Sequence, residues 1–118
     1  MAGQSYADEQ SLIQIIAPDR EISVPADSIV ESPMVAGADG DLAVWVRLDG
    51  EHARKLGQLT QANIGQVVKI FVCGELVLEP MIQTPILTGS LVLSNPDSQV
   101  VEQIFAALQS GKCTADDE

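Results

Sequence analysis

The chain has few of the groups on which enzymes and nucleic-acid-binding proteins depend. Its 118 residues include one histidine, two cysteines and only six lysines and arginines, and aromatic side chains make up 3%. With so few rings, the platforms on which bases and sugars stack are missing. No stretch approaches the ~18 apolar residues that a membrane-spanning helix needs. These absences argue against an enzyme and indicate a small binding domain.

The charge of the chain is strongly one-sided. Seventeen aspartates and glutamates face six lysines and arginines, which gives a formal net charge of −11. A nucleic-acid backbone or an anionic membrane would repel such a surface, whereas a basic protein would be attracted to it. The alternative is that the acidity only keeps a small protein soluble. The composition therefore predicts a protein partner, a basic one by charge alone, with no nucleic acid and no membrane insertion.

Length and composition predict one folded domain. At 118 residues and 46% hydrophobic content, the chain can bury a single core. We predict a flexible N-terminus over 1–10, one domain over 11–112, and a polar acidic tail over 113–118. Residues 1–10 have no basic residue and no apolar segment, so they are not a signal peptide. Whether such a peptide has been removed stays open.

The strand pattern predicts an antiparallel sheet. Asp-Gly at 39–40, between two strand-forming runs, is typical of a hairpin. Pro33 indicates that the strand before this hairpin lies at an edge or carries a bulge. Gly74 forms a tight turn with Cys73 or Glu75. Strands are expected over 11–18, 21–25, 31–36, 42–48, 66–74, 75–82 and 90–94.

Two segments have the spacing of amphipathic helices. Asp49 is the expected N-cap of the first helix, which ends near Asn63. The second begins at a cap formed by Ser94 or Asn95 and ends at Gly111. Packing both helices on one face of the sheet gives an α+β fold, a two-layer sandwich with a mostly antiparallel sheet.

The two cysteines leave two possibilities open. Cys73 falls in an apolar predicted strand, where a free thiol is an ordinary small hydrophobic group. Cys113 follows the last helix. A bond between them would close a loop of about 40 residues and stabilise the fold by about 3–4 kcal/mol in the chain-entropy model. Sequence spacing does not establish the distance that such a bond requires.

No constellation of catalytic or metal-binding residues is evident. His52 has no nucleophile motif around it, so we expect a solvated surface histidine and no catalytic residue or cofactor. A hydrolase built around His52 is the weakest of the readings. Asp39 and Asp41 flank the hairpin glycine, but the calcium loop with its terminal Glu is absent, so turn formation is the simpler role.

Four acidic residues are the predicted partner-binding surface. Glu75 and Glu79 lie four apart on a predicted strand and would share a face, with Lys69 on the neighbouring strand. Together with Asp39 and Asp41 they would present carboxylates to a basic partner.

The chain also resembles a known family. Thr-x-x-Asn-x-Gly at a helix end, then an apolar strand, a Gly turn and Pro-x-Ile resemble the head subdomain of the first periplasmic domain of the SecD translocase subunit. Asp-Ser-Ile at 27–29 and Leu-Gln-Ser-Gly at 108–111 extend the resemblance over about 25–112. Cys73 departs from it, because the family usually has Asp before the turn Gly. The residues that carry the central motif are Thr60, Asn63, Gly65, Gly74, Pro80 and Ile82.

The resemblance implies an α+β head, a periplasmic setting, no enzyme activity and contact with polypeptide. It does not extend to the translocase's membrane helices or base subdomain. We therefore expect a non-catalytic protein-binding module. One form is an immunity or inhibitor protein that neutralises a basic partner through its acidic loops. The alternative is a detached translocation or periplasmic folding helper that binds polypeptide chains.

Overall fold

The fold was examined in a computed structural model, which describes residues 11–36 and 41–113. Eight strands and two helices make an α+β domain, as predicted. A 3-10 turn over Ala26–Ser28 separates the second and third strands. The elements are β1 Ser11–Ile16, β2 Glu21–Pro25, β3 Ile29–Glu31, β4 Met34–Ala36, β5 Leu42–Leu48, α1 Gly50–Ala62, β6 Lys69–Val72, β7 Glu75–Leu78, β8 Ser90–Ser94 and α2 Ser98–Ser110.

The strands form two antiparallel sheets of four. In the first sheet the order is β2-β1-β6-β7. In the second, β5 is central, with β3 and β4 paired to it in succession along one side and β8 on the other. Pro33 separates β3 from β4 and accepts a hydrogen bond from the Trp45 amide at 3.0 Å. Because proline has no N–H to donate, this side is an interrupted edge, as the sequence predicted.

Buried residues from both sheets and both helices form one apolar core. Along β5, Val44, Val46 and Leu48 are buried while Arg47 is exposed, as the alternation of a strand requires. Leu42, at the start of the same strand, is 37% exposed, so burial on this face begins at Val44. Among the described residues, neither helix is long and apolar enough to cross a membrane.

Helix α1 begins and ends at the predicted places. Asp49 is the N-cap, and its side chain accepts the His52 amide hydrogen. Asn63 follows the helix with φ −127°, so it is not left-handed. Gly65 supplies the left-handed conformation instead, at φ +86°. The side chain of Asn63 makes hydrogen bonds to Asp19 and to the Leu59 carbonyl.

The predicted cap of α2 is wrong by two to three residues. Asp97, rather than Ser94 or Asn95, is the N-cap, and it accepts the Gln99 amide hydrogen at 3.0 Å. Ser94 still belongs to β8. Asn95 accepts the Asp97 amide hydrogen, so it builds the turn before the helix. Gly111 ends α2 in the left-handed conformation, as predicted.

The two cysteines form a disulfide, with their Cα atoms 5.5 Å apart. Cys73 lies just beyond the end of β6 rather than in the strand, and it is the residue that forms the predicted tight turn with Gly74. It occupies the turn between β6 and β7, at φ +54°, followed by Gly74 at φ +81°. Both strands are shorter than predicted because this turn and Pro80 limit them.

Candidate functional site

Thr60 fixes a loop against helix α1. Its hydroxyl donates to the Leu56 carbonyl at 2.8 Å and accepts the Ile86 amide hydrogen at 2.9 Å. The side chain is only 1% exposed. A buried hydroxyl that both donates and accepts stabilises the two backbone groups it joins. The motif threonine therefore holds the segment 80–86 in place.

Asn63 connects the end of α1 to the first sheet. Its amide nitrogen donates to the Leu59 carbonyl and to Asp19 Oδ1, both at 2.9 Å. Asp19 lies in the turn between β1 and β2, where the Ala17 amide donates to the Arg20 carbonyl at 2.8 Å. The second motif position thus joins a helix end to a strand turn 44 residues earlier.

The positive φ of Gly65 turns the chain after α1, so that residues 65–68 hydrogen-bond to the segment 80–86. The Gly65 amide donates to the Ile82 carbonyl at 2.7 Å, and the Ile82 amide donates to Gln66 at 2.9 Å. The Val68 amide donates to the Pro80 carbonyl at 3.0 Å. Within the Thr-x-x-Asn-x-Gly motif, Thr60 and Gly65 therefore position residues 80–86, and Asn63 joins the helix end to the β1–β2 turn.

An apolar groove of about 310 Å³ lies beside this segment. Met81 and Val92 are at its rim, 55% and 50% exposed. Hydrophobic side chains dominate the lining, and no charged residue is part of it. The lining residues are Ile15, Leu56, Thr60, Val68, Ile70, Leu78, Pro80, Met81, Ile82, Gln83, Thr84, Ile86, Leu91 and Val92.

The groove joins edge strands of the two sheets. Leu78 comes from β7 and Leu91 from β8, and within the described chain each of these strands pairs on one side only. Asn95, just beyond β8, donates to the Val77 carbonyl of β7 at 2.8 Å. The site therefore offers apolar side chains together with two unpaired strand edges.

His52 is buried, not solvated, which corrects the sequence prediction. It is 8% exposed, and Nδ1 lies 2.9 Å from Asp49 Oδ1. The buried face of α1 runs through His52, Leu56 and Leu59 and continues to Asn63 just after the helix. His52 thus belongs to the cap of α1, because one carboxylate oxygen contacts both its amide and its ring.

Two carboxylates should make the fold sensitive to acid. Hydrogen bonds from the amide and then the ring of His52 lower the pKa of Asp49 below its usual 3.8. The hydrogen bond from Asn63 lowers the pKa of Asp19, and Arg20 adds to the effect. A lowered pKa in the folded state gives stability that is present above the usual value and is lost as the pH falls through the lowered one.

We therefore expect the urea midpoint to fall progressively below about pH 4. In the Asp19→Asn, Asp49→Asn double variant this acid limb should be shallower, because neither position can then titrate. Glu102→Gln, which changes an exposed carboxyl on α2, is the control and should leave the limb unchanged. Equal acid limbs in the double variant and the parent would contradict the assignment.

The structure describes three of the four predicted acidic residues and places them at the ends of two different strands. Asp39 lies outside the described residues. Asp41 precedes β5 of the second sheet, whereas Glu75 begins β7 of the first and Glu79 follows it; all three are exposed. Glu79 lies one residue beyond the end of β7, and the β6–β7 register shifts between Ile70 and Phe71, so the regular strand alternation on which the shared face of Glu75 and Glu79 was predicted is interrupted.

Sequence reasoning did not identify the groove residues. Val92 carried a usable signal, because it is apolar at the outward position of β8, between buried Leu91 and Leu93. Met81 likewise precedes buried Ile82 while remaining exposed itself. An apolar residue at a solvent-facing position of an alternating strand indicates a surface that something else can cover.

Two sheets, two helices and an apolar groove between sheet edges define a small α+β head subdomain. The chain belongs to the SecDF P1 head subdomain family, whose model matches residues 4–115. This confirms the resemblance that the motif indicated. The family's head is a periplasmic domain of a membrane protein that takes part in protein translocation.

Individual relatives agree with this assignment. The chain is 28% identical over 120 residues to the protein translocase subunit SecD of Aquifex aeolicus (strain VF5), an alignment that covers 88% of the chain. The chain spans only 24% of that protein's length.

Solved structures share the fold at low sequence identity. A structure of SecDF, described as a membrane component that enhances protein export, matches with TM-score 0.70 and 17% identity over 96% of this chain and 70% of that one. SecDF in a super-membrane-facing form matches with TM-score 0.69 and 17% identity, over 96% of this chain and 21% of that one. At this identity the likeness shows the fold alone.

Proposed function

We propose that the chain is a non-catalytic, extracytoplasmic module that binds a segment of unfolded polypeptide in its groove. The observation that carries the proposal is the apolar groove between β7 and β8, with Met81 and Val92 exposed at its rim. An apolar site without charged lining residues would select by burial of hydrophobic area rather than by one sequence. Such selection suits a chain that must handle many different polypeptides.

Backbone pairing would add to this burial. An extended peptide can join an unpaired sheet edge through main-chain hydrogen bonds while its alternate side chains enter neighbouring pockets. The groove is lined by Leu78 of β7 and by Leu91 and Val92 of β8, two strands that each pair on one side only in the described chain. Trp45 faces Val92 directly across the β5–β8 pair, so its fluorescence can report binding.

Membership of a translocation family supports the proposal, as does the disulfide. Disulfides persist in oxidising compartments and are rare in the cytosol. The Cys73–Cys113 bond therefore favours a periplasmic or otherwise exported position.

Polar substitutions at the rim test the proposal. Met81→Gln and Val92→Gln should each weaken binding of a reduced, alkylated unfolded polypeptide roughly tenfold, since each removes about 1–1.5 kcal/mol of apolar burial. Titration calorimetry measures the dissociation constants. Glutamine leaves the net charge unchanged, so a loss of affinity cannot be assigned to electrostatics.

Val30→Gln is the matched control for these variants. Val30 is 52% exposed on β3 and does not line the groove, so its replacement should leave affinity unchanged. Equal affinity in all three variants would rule out the groove. Circular dichroism should show that each variant keeps the parent fold.

The second candidate is an inhibitor that uses its acidic surface. It is favoured by the net charge of −11 and by the exposure of Asp41, Glu75 and Glu79. Neutralising these three and Asp39 together, with Asn and Gln, should slow association with a basic partner and reduce the salt dependence of its rate. If capture of basic proteins at low and high salt stays the same in the variant, this candidate is wrong.

A further inference from the structure

Cys73 has a conformation that its side chain does not favour. Among the described residues it is the only non-glycine with positive φ, at +54°. For an L-residue this conformation is costly, and Asn, Asp or Gly usually occupy it. The Cys73 amide donates to the Leu12 carbonyl of β1 at 3.0 Å, so the turn is tied to the sheet at this point.

Cys113 comes from a helix end that is itself anchored. Gly111 caps α2 in the left-handed conformation. A Cβ atom built on Gly111 would lie 3.5 Å from the Cβ of Ala26, so the helix end packs against the 3-10 turn. Gln109 donates to the Ser32 carbonyl at 3.1 Å, beside the interrupted edge of the second sheet. The disulfide therefore joins the end of α2 to the β6–β7 turn of the first sheet.

Few polar connections join the two sheets. In the described residues no strand of one sheet pairs with a strand of the other. The Asn95–Val77 hydrogen bond connects the residue after β8 to β7, and the disulfide connects the helix end to the turn that precedes β7. Edge strand β7 is thus held by one covalent and one hydrogen-bonded connection outside its pairing with β6.

We propose that the Cys73–Cys113 bond is a redox-controlled lock on the β6–β7 hairpin and on the end of α2. Both cysteines are half-buried and pack against the edge of the core, not within it. A dithiol reductant attacks one sulfur through its thiolate, forms a mixed disulfide, and leaves as a cyclic disulfide when its second thiol attacks. Two electrons and two protons then reside on the Cys73 and Cys113 thiols.

Reduction should have a large, measurable effect. Opening a cross-link across 40 residues should lower the folded-to-unfolded ratio roughly 10²- to 10³-fold. The urea midpoint should then fall by about 1–3 M. In the reduced protein, amide hydrogens of β7 and of the last turn of α2 should exchange at least tenfold faster relative to those of β5 than in the oxidised protein.

Two double variants separate the bond from the turn. Cys73→Ser with Cys113→Ser should match the reduced protein and no longer respond to dithiothreitol. Cys73→Asn with Cys113→Ser restores a residue suited to positive φ, so β7 should regain protection while the end of α2 stays open. The proposal is overturned if reduction changes neither the midpoint nor the exchange. It is also overturned if the Asn variant equals the oxidised protein at both places.

Discussion

Replacing Gly89 by alanine is expected to lower the free energy of unfolding by about 3 kcal/mol. Gly89 has φ +80°, and a Cβ built there would lie 2.6 Å from the Cβ of Ala53 on α1. The Gly89 carbonyl also accepts the Leu48 amide hydrogen at 2.9 Å, so the backbone cannot shift without cost. Urea unfolding followed by circular dichroism measures the change.

Substitutions at Gly65 and Gly50 distinguish the conformational cost of positive φ from the steric cost of the contact with Ala53. Gly65 has φ +86° but open space around its Cβ position, so Gly65→Ala should show the conformational cost alone, about 1–2 kcal/mol. Gly50 has no neighbour within 4 Å and no positive φ, so Gly50→Ala should be neutral or stabilising by up to about 1 kcal/mol. If Gly89→Ala costs no more than Gly65→Ala, the close packing of Gly89 on α1 is refuted.

Thr60→Val should lower the free energy of unfolding by about 2–3 kcal/mol. Valine has nearly the same shape but no hydroxyl, so the Ile86 amide loses its acceptor and the Leu56 carbonyl loses a donor. Since Thr60 also lines the groove and positions the segment 80–86, polypeptide affinity should fall as well. Urea unfolding and calorimetry give the two values.

Thr60→Ser is the control because it keeps the hydroxyl and removes only a methyl group. It should cost about 1 kcal/mol and retain the position of Ile86. A serine variant as unstable as the valine variant would mean that packing of the methyl group, rather than hydrogen bonding, explains the role of Thr60.

Local rules were enough for much of the fold. Asp49 capped a helix, Gly111 ended one, and Pro33 interrupted an edge, each because a single residue type has a strong backbone preference. The α+β class followed from the order of strands and helices. The strands divide into two sheets, which no local rule could reveal, because pairing partners far apart in the chain decide it.

Tertiary contacts explain what sequence reasoning missed. His52 was expected in solvent because a lone histidine carries little signal, yet the rotation of α1 turns it inward beside Asp49. The disulfide stayed undecided because spacing does not determine distance, and only the fold brings the Cα atoms of Cys73 and Cys113 to 5.5 Å. The groove escaped notice because β8, helix α1 and the segment 80–86 meet only in three dimensions.

The interruption at Pro33 makes the two edges of the second sheet different from each other. One edge consists of two three-residue strands separated by Ser32 and Pro33, of which Pro33 cannot donate a hydrogen bond, whereas the opposite edge is the continuous five-residue β8. A sheet with one blunted edge cannot be extended equally from both sides. Within the second sheet, an added strand is therefore directed to the β8 edge.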